Sequence, residues 1–542
     1  MNNIKLLDCT LRDGGYINNW NFGKRTVKKV IEKLTQSNID IIECGFLRDV
    51  DYDNDTTIFN DIENIKELIQ PKTKNKDTIY VAMIDQPFIS NDKIKVYDGT
   101  SIDGIRLTFH DNEEEIAEAL EYGKMLIEKG YKVFIQPVGT TSYTDANLLA
   151  LIEKVNELKP YAFYLVDTLG IMYKNNLLRM YHLLDHNLDK TINIGFHSHN
   201  NLQLSFSNAQ ELLTLHTKRN IIIDSSVFGM GRGAGNLCTE LISEYINENI
   251  DEKYKIVPLL EIVDEHLGRF FNEPKWGYSV PYFIAAINNC HPNYASYLMN
   301  KQTISVKSIN TILRQIPNKK RNIYDEIYIE DLYINHQMQL VDDTESLNRL
   351  RKQIGNKKVL IIAPGKSIEK ELENIKTFIT EEDPFIISIN FLPSAFNCNA
   401  IFISNTKRFK SMEEVIKDRA ITTTLITTSN ITNLKVGSSL VVNYADLLLE
   451  NPLISDNAGL MAINLLNRLF IDHVYLAGFD GFSLNKAKNY YSTELINHIE
   501  MVELVKKNEE IKNYLASVEK HMGIHYVTST IYNDVHLYSK AY

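Results

Sequence analysis

Two stretches nearly two hundred residues apart hold the side chains best suited to chemistry. Asp8-Cys-Thr-Leu-Arg12-Asp13-Gly14 follows an apolar run near the N-terminus, and Gly-Phe-His197-Ser-His199-Asn-Asn follows another. A His-x-His at the end of a strand sends both imidazoles to one side, because strand side chains alternate with period two. A carboxylate such as Asp13, ending a second parallel strand, would complete a facial set of one hard oxygen and two borderline nitrogens. The remaining coordination positions stay open for a substrate, which suits a divalent Lewis acid. Each motif alone is ordinary: His-x-His is commonly a packed or solvated pair, and Leu-Arg-Asp-Gly is a charged turn. They gain meaning only if the chain between them brings them together.

That chain has a regular plan. Apolar, β-branched-rich runs occur at Ile4 to Leu7, Ile39 to Cys44, Ile79 to Ile84, Gly104 to Phe109, Lys132 to Val138, Ala162 to Val166, Ile192 to Phe196 and Ile221 to Val227. Amphipathic stretches lie between them, among them Gly23 to Gln36, Asn112 to Lys129, Thr144 to Leu158 and Leu202 to His216. Continuous apolar strands, each followed by a helix, predict a parallel sheet covered on its outer face. Eight such units match a (β/α)8 TIM barrel better than an open sheet, and no dinucleotide-binding glycine pattern follows the first run. In a barrel, functional groups collect where strands end. There fall Asp8 to Asp13, Glu43, Asp85, Arg106 with His110, Gln136, Asp167 with Thr168, the two histidines, and Gly229 to Glu240.

On these residues the chain resembles the pyruvate-carboxyltransferase-like or HMG-CoA-lyase-like metal-dependent TIM barrels, which include 4-hydroxy-2-oxovalerate aldolase, isopropylmalate synthase and homocitrate synthase. The motifs are Asp8-x-Thr-Leu-Arg12-Asp13-Gly14, Asp167-Thr-Leu-Gly170, His197-x-His199-Asn-Asn and Gly229-Met-Gly-Arg-Gly-Ala-Gly-Asn236-Leu-Cys-Thr-Glu240, spread over roughly residues 1 to 300. The resemblance implies that Asp13, His197 and His199 bind a divalent metal, with Asn236 as a fourth ligand or a support behind the ligands. Mn²⁺ or Mg²⁺ is expected first, Zn²⁺ or Co²⁺ next. It implies an enolate mechanism on a 2-oxo acid with Arg12 holding the oxyanion, Glu43, Arg106, Gln136, Asp167 and Thr168 lining the substrate site, and no Schiff-base lysine. The chain departs from the aldolases where they carry a histidine three residues after the aspartate ligand. Tyr16 stands there, and becomes the catalytic acid–base candidate.

Residues 1–305 are expected to form the barrel with a helical extension, 306–355 a charged helical linker, and 356–542 a second, Rossmann-like α/β domain. The second domain starts at Lys357-Lys-Val-Leu-Ile-Ile-Ala-Pro-Gly365-Lys-Ser367. A strand running into Gly-Lys-Ser and a helix is a candidate phosphate turn, but not a Walker A loop, because Leu360 stands where that motif needs glycine. Ala-Pro-Gly365-x-Ser367, Ile-Ser-Ile-Asn390, Asn457-Ala-Gly459 and Val-Tyr-Leu-Ala-Gly478-Phe-Asp480 resemble sialyltransferase-like and pterin-diphosphokinase-like domains of surface-glycan enzymes. This implies a nucleotide or nucleotide-sugar ligand near Gly365, Ser367, Asn390 and Asp480. Leu453 departs from the arginine that sialyltransferases carry.

Composition narrows the classes. With 542 residues, 44% hydrophobic, the chain can bury two cores, and a net charge of −11 argues against general nucleic-acid binding. Five scattered cysteines form no metal or redox pair and, with no secretory leader, point to a cytoplasmic protein. No apolar run is long enough for a membrane span. The expected function is a metal-dependent aldolase, a carbon–carbon lyase joining or releasing pyruvate and an aldehyde, in the making of a surface-glycan sugar. The alternatives are a Claisen-type acyl-CoA synthase and a glycan-pathway transferase or nucleotide-sugar binder with the barrel as scaffold. A homo-oligomer is left open.

Overall fold

All eight apolar runs of the first half become parallel strands: β1 (Ile4–Asp8), β2 (Ile41–Leu47), β4 (Ile79–Ile84), β5 (Gly104–Phe109), β6 (Lys132–Pro137), β7 (Ala162–Asp167), β8 (Asn193–Ser198) and β9 (Ile221–Ser225). A two-residue strand, β3 (Ile58–Phe59), adds to the end of β2. The order β1-β9-β8-β7-β6-β5-β4-β2 closes on itself where Leu7 of β1 pairs with Ile41 of β2. The result is a (β/α)8 barrel. The computed structural model describes residues 4–69, 74–215, 217–271, 276–301, 304–338, 340–419, 422–431, 439–451, 453–483 and 501–533. His216, Pro274 and Lys275 lie outside them.

The alternation of side chains explains why the runs are apolar throughout. Leu7, Ile41, Val81, Phe134, Ala162, Tyr164, Val166 and Ile222 pack together inside the barrel. Their neighbours, such as Leu6, Ile42, Ala82, Ile105, Val133, Leu165 and Ile223, face the helices. A side chain at Gly195 would run into the Tyr164 ring, so the glycine makes room for a large plug in the barrel. The helices present matching stripes: Lys24–Gln36 buries Val27, Val30, Ile31 and Leu34. Their starts are capped as the sequence suggests, with Asn112 accepting from the Glu114 amide and Thr144 from the Asn147 amide. Strand β2 starts later than the apolar run, because the Ile39 amide still bonds to Leu34 at the preceding helix end. Likewise the helix Ser205–Leu213 starts after Leu202, which is held in a turn by Gly170.

The chain falls into two compact units, residues 1–295 with 316–324, and 296–315 with 325–542. The second contains seven parallel strands: β10 (Val359–Ile362), β11 (Phe385–Ile389), β12 (Ala400–Ile403), β13 (Thr424–Thr428), β14 (Ser439–Val442), β15 (His473–Ala477) and β16 (Gly523–Tyr526). Their order is β14-β13-β12-β11-β10-β15-β16, so the winding reverses between β10 and β15. Apolar clusters cover both faces of this sheet. The charged stretch before it is helical at Val306–Gln315, Asn318–Arg321, Glu326–Gln337 and Thr344–Ile354. The last of these buries Leu350 and Ile354 in the core of the second unit. Among the described residues no helix is long and apolar enough to cross a membrane.

Candidate metal centre

The barrel delivers Asp13 and the histidines to one place. After β1 the chain makes a single helical turn, Thr10–Asp13, closed by the Asp13 amide on the Cys9 carbonyl at 2.8 Å. Asp8 fixes that turn, accepting from the Thr10 amide at 3.0 Å and the Thr239 hydroxyl at 2.7 Å. Burial pushes the Asp8 carboxyl up to about 6. At the end of β8, His197 faces inward, and His199 is held by its amide on the Asp167 carbonyl at 3.2 Å and by a bridge to Asn236. Ligand atoms of Asp13, His197 and His199 lie within 4.8 Å of one another, and all three residues are buried.

A network of buried charges surrounds them. Arg12 donates from Nε to Glu43 Oε2 at 2.9 Å and from Nη1 to Asp13 Oδ1 at 2.6 Å. Arg106 reaches the same Glu43 oxygen at 2.8 Å and pairs with Asp224. Asp224 Oδ2 lies 3.0 Å from His197 Nδ1. A carboxylate on Nδ1 fixes the tautomer that leaves Nε2 with its lone pair, the arrangement typical of histidine metal ligands. Burial opposes ionisation of Asp13, but the Arg12 guanidinium beside it and the Asn236 amide hold its carboxyl well below the usual range. Burial also brings His199 down to about 3, so its ring is neutral and able to ligate.

The donor set fits a divalent cation. Three carboxylates, Asp13, Glu43 and Asp224, face two guanidiniums, with the imidazoles of His197 and His199 as nitrogen donors beside them. Asn236 Nδ2 donates to Asp13 Oδ2 and to the Met230 carbonyl, while its Oδ1 is buried with no partner. A side chain at Gly231 would collide with Asn236 Nδ2 and stand 3.2 Å from Asp13 Oδ2. The glycine keeps that cradle clear.

Other expected residues divide into groups. Arg12, Glu43, Arg106 and Gln136 join the network, Gln136 through Nε2 at 3.4 Å from Asp224. Tyr16 lies at the rim, 38% exposed, its ring 4.8 Å from Trp20 and 5.1 Å from the Arg232 guanidinium. Asp167 turns both oxygens to its own loop, accepting from Ile171 at 3.0 Å and Met172 at 2.9 Å. Thr168 accepts from the Gly139 amide at 2.9 Å. In the second unit, Gly365, Ser367 and Asp480 meet where the winding reverses. Both Asp480 oxygens are engaged by Ser367, one by its amide at 2.7 Å and one by its hydroxyl. With that proton committed, Ser367 Oγ accepts from the Thr528 hydroxyl at 2.9 Å, and Thr528 Oγ1 in turn accepts from the Gly478 amide at 2.9 Å. Asn390 ends β11 apart from them, its amide on the Phe402 carbonyl at 3.0 Å and its side-chain oxygen buried and unpartnered.

Asp224 was not singled out from the sequence. Its signal is a lone acid in Ile221-Ile-Ile-Asp-Ser, two residues from the inward Ile222 and hence on the inner face. Arg232 and Trp20 were also passed over. The Trp20 indole donates to the Arg12 carbonyl at 2.7 Å and so steadies the loop that carries Arg12 and Asp13.

Residues 3–264 match the family described as HMGL-like. The 4-hydroxy-2-oxovalerate aldolase of Geobacillus genomosp. 3 is 25% identical over 246 residues, which cover 44% of this chain and 69% of that enzyme. The enzyme of the same name from Chloroflexus aggregans is 25% identical over 248 residues, 45% of this chain and 69% of its own. The crystal structure of the HMG-CoA lyase from Brucella melitensis is similar at 16% identity with a TM-score of 0.39, covering 50% of this chain and 98% of that one.

Proposed function

We propose that the barrel holds one divalent cation on Asp13, His197 and His199 and makes or cleaves a carbon–carbon bond beside the carbonyl of a 2-oxo acid, with pyruvate and an aldehyde as partners. The observation that carries this reading is the pairing of His197 Nδ1 with Asp224 next to Asp13 and His199, which turns three ligand groups toward one point. A bound ion would supply Lewis acidity to polarise the substrate carbonyl and stabilise its enolate. Mixed carboxylate and imidazole ligation favours Mn²⁺ or Mg²⁺.

The chain's own residues do the rest. Arg12 is clamped by Glu43 and Asp13, and its Nη2 has no acceptor among the described residues, so it is aimed for the enolate oxygen. Arg106, locked between Glu43 and Asp224, orients both carboxylates rather than the substrate. Lys5, inward on β1, donates to the Tyr161 hydroxyl at 2.9 Å before the start of β7, the end of the barrel opposite the histidines. It is therefore badly placed for a Schiff base. Tyr16 remains the candidate for proton transfer at the rim.

For the second unit a nucleotide or nucleotide-sugar role, serving a glycan sugar, stands as a proposal supported by the reversal of winding between β10 and β15. A phosphate at the Gly365–Ser367 turn would first have to displace Asp480 from the Ser367 amide.

The barrel reading is tested by bound metal per chain and by exchange of pyruvate methyl protons in D₂O. The wild type is expected to bind one ion and to exchange. His199→Ala should bind metal at least about 100-fold more weakly, and undiminished binding in that variant would remove the site.

A further inference from the structure

Arg232 is a charged residue near this centre that the network does not absorb. It lies between two pinned glycines. Gly231 fits against Asn236 and Asp13, and Gly233, at φ +69°, leaves no room for a side chain beside Asn201 Oδ1, 2.9 Å from where its Cβ would be. Asn201 is itself fixed, accepting from the Ala234 amide and donating to the Leu169 carbonyl, each at 2.9 Å. The backbone at 232 is thus held between the metal ligands and the loop after β7. The half-buried guanidinium covers the Tyr16 ring at 5.1 Å and makes no ion pair or side-chain hydrogen bond among the described residues.

An unpaired, partly desolvated guanidinium is costly and calls for an anion. The nearby carboxylates are taken: Asp13 and Glu43 by Arg12, Glu43 and Asp224 by Arg106. With a divalent ion bound, the inner network carries one net positive charge, which the carboxylate of a 2-oxo acid neutralises. Arg232 is left over. His291, buried at the start of the helix Pro292–Asn300, is within electrostatic reach of both Arg232 and His199. Its Nδ1 accepts from the Asn293 amide at 3.2 Å, so the proton of the neutral ring is on Nε2, a free donor.

We propose that Arg232, assisted by the Nε2–H of His291, is a subsite for an oxyanion on the second substrate, so that the barrel selects aldehydes bearing a phosphate or carboxylate group. This rests on the enolate reading above and specifies its partner. Tyr16 then serves as the platform under the guanidinium, which accounts for an aromatic ring at the rim.

The test uses the full chain loaded with Mn²⁺. Pyruvate methyl exchange without aldehyde reports the enolate chemistry alone. Aldol addition is then compared for glycolaldehyde phosphate, succinic semialdehyde and neutral butyraldehyde in wild type, Arg232→Gln and Arg232→Lys. Wild type is expected to favour one anionic aldehyde in kcat/KM by about 10- to 100-fold. Arg232→Gln should bring that ratio near one, mainly through KM, and Arg232→Lys should restore part of it. Whichever anionic aldehyde is preferred identifies phosphate or carboxylate as the source. A ratio unchanged by Arg232→Gln, or a wild type indifferent to charge, overturns the subsite. If wild type exchanges no methyl protons, the enolate reading fails separately. Calorimetric titration of inorganic phosphate into wild type and Arg232→Gln then decides the subsite alone: weaker binding in the variant supports it and equal binding overturns it.

Discussion

The ends of the barrel strands and the reversal of winding in the second sheet are equivalent places in two parallel α/β architectures, since ligands collect at the carboxyl ends of strands in both. They differ in how their polar groups are satisfied. Above the barrel, Glu43 Oε1, Gln136 Oε1, Asp224 Oδ1 and Asn236 Oδ1 are buried without a partner. At the reversal, Ser367, Asp480 and Thr528 bond to one another, and the Gly365 amide is taken by the Gly478 carbonyl at 3.1 Å. A buried acceptor left open costs stability that a ligand can return. The closed set around Ser367 asks for nothing, and the open acceptors of the second sheet, Asn390 Oδ1 and Ser388 Oγ, lie on the neighbouring strand end apart from it. The contrast favours chemistry in the barrel cluster over chemistry at the Ser367 turn itself, which is closed by its own bonds.

The largest effect that would sharpen this contrast is expected at Arg12. Arg12→Lys cannot span both Glu43 and Asp13, so it should keep metal but slow pyruvate methyl exchange by about 100-fold or more. Wild-type exchange would break the assignment. Asp224→Asn comes next. It removes the carboxylate behind His197 and leaves Arg106 with a weaker partner, so metal affinity should fall by about 10- to 100-fold, measured by chelator competition. Unfolding in denaturant should show a loss of about 3 kcal/mol or more, as for one half of a buried pair.

The smallest effect belongs to the second region. Asp480→Ala strands the Ser367 amide and hydroxyl and should cost about 1–3 kcal/mol, read by thermal or denaturant unfolding, with metal binding in the barrel unchanged. Burial raises the Asp480 carboxyl above its ordinary value. The folded chain therefore takes up a proton at higher pH than the unfolded chain. Relative to Asp480→Ala, wild type should gain stability as pH falls through the raised folded value toward the ordinary carboxylate value. A difference that shrinks on acidification would mean that Asp480 is held chiefly as an anion.

Much of this was legible in the chain. The eight strands announced themselves because both faces are buried, and the His-x-His spacing with Asp13 pointed to the three residues that the fold brings within reach of one another. Asp224 escaped notice because one acid in an isoleucine run resembles a strand end, and its function depends on a histidine on the neighbouring strand. Asp167 looked like a substrate contact because it ends a barrel strand, but its oxygens hold its own loop. The edge strand β16 leaves little trace in the sequence because Gly-Ile-His-Tyr is short and mixed. Such assignments depend on partners distant in sequence, which spacing along one segment does not reveal.

The chain has only two tryptophans, and both indoles donate to carbonyls in the loops that build the metal centre, Trp20 to Arg12 and Trp276 to Phe228 at 2.8 Å. Trp20 also has the Tyr16 ring beside it and Arg48 over its face at 5.4 Å. Its ultraviolet emission should therefore register loading of the barrel, with no label attached. Trp20→Phe would separate its contribution from that of Trp276, making the protein its own optical indicator of occupancy.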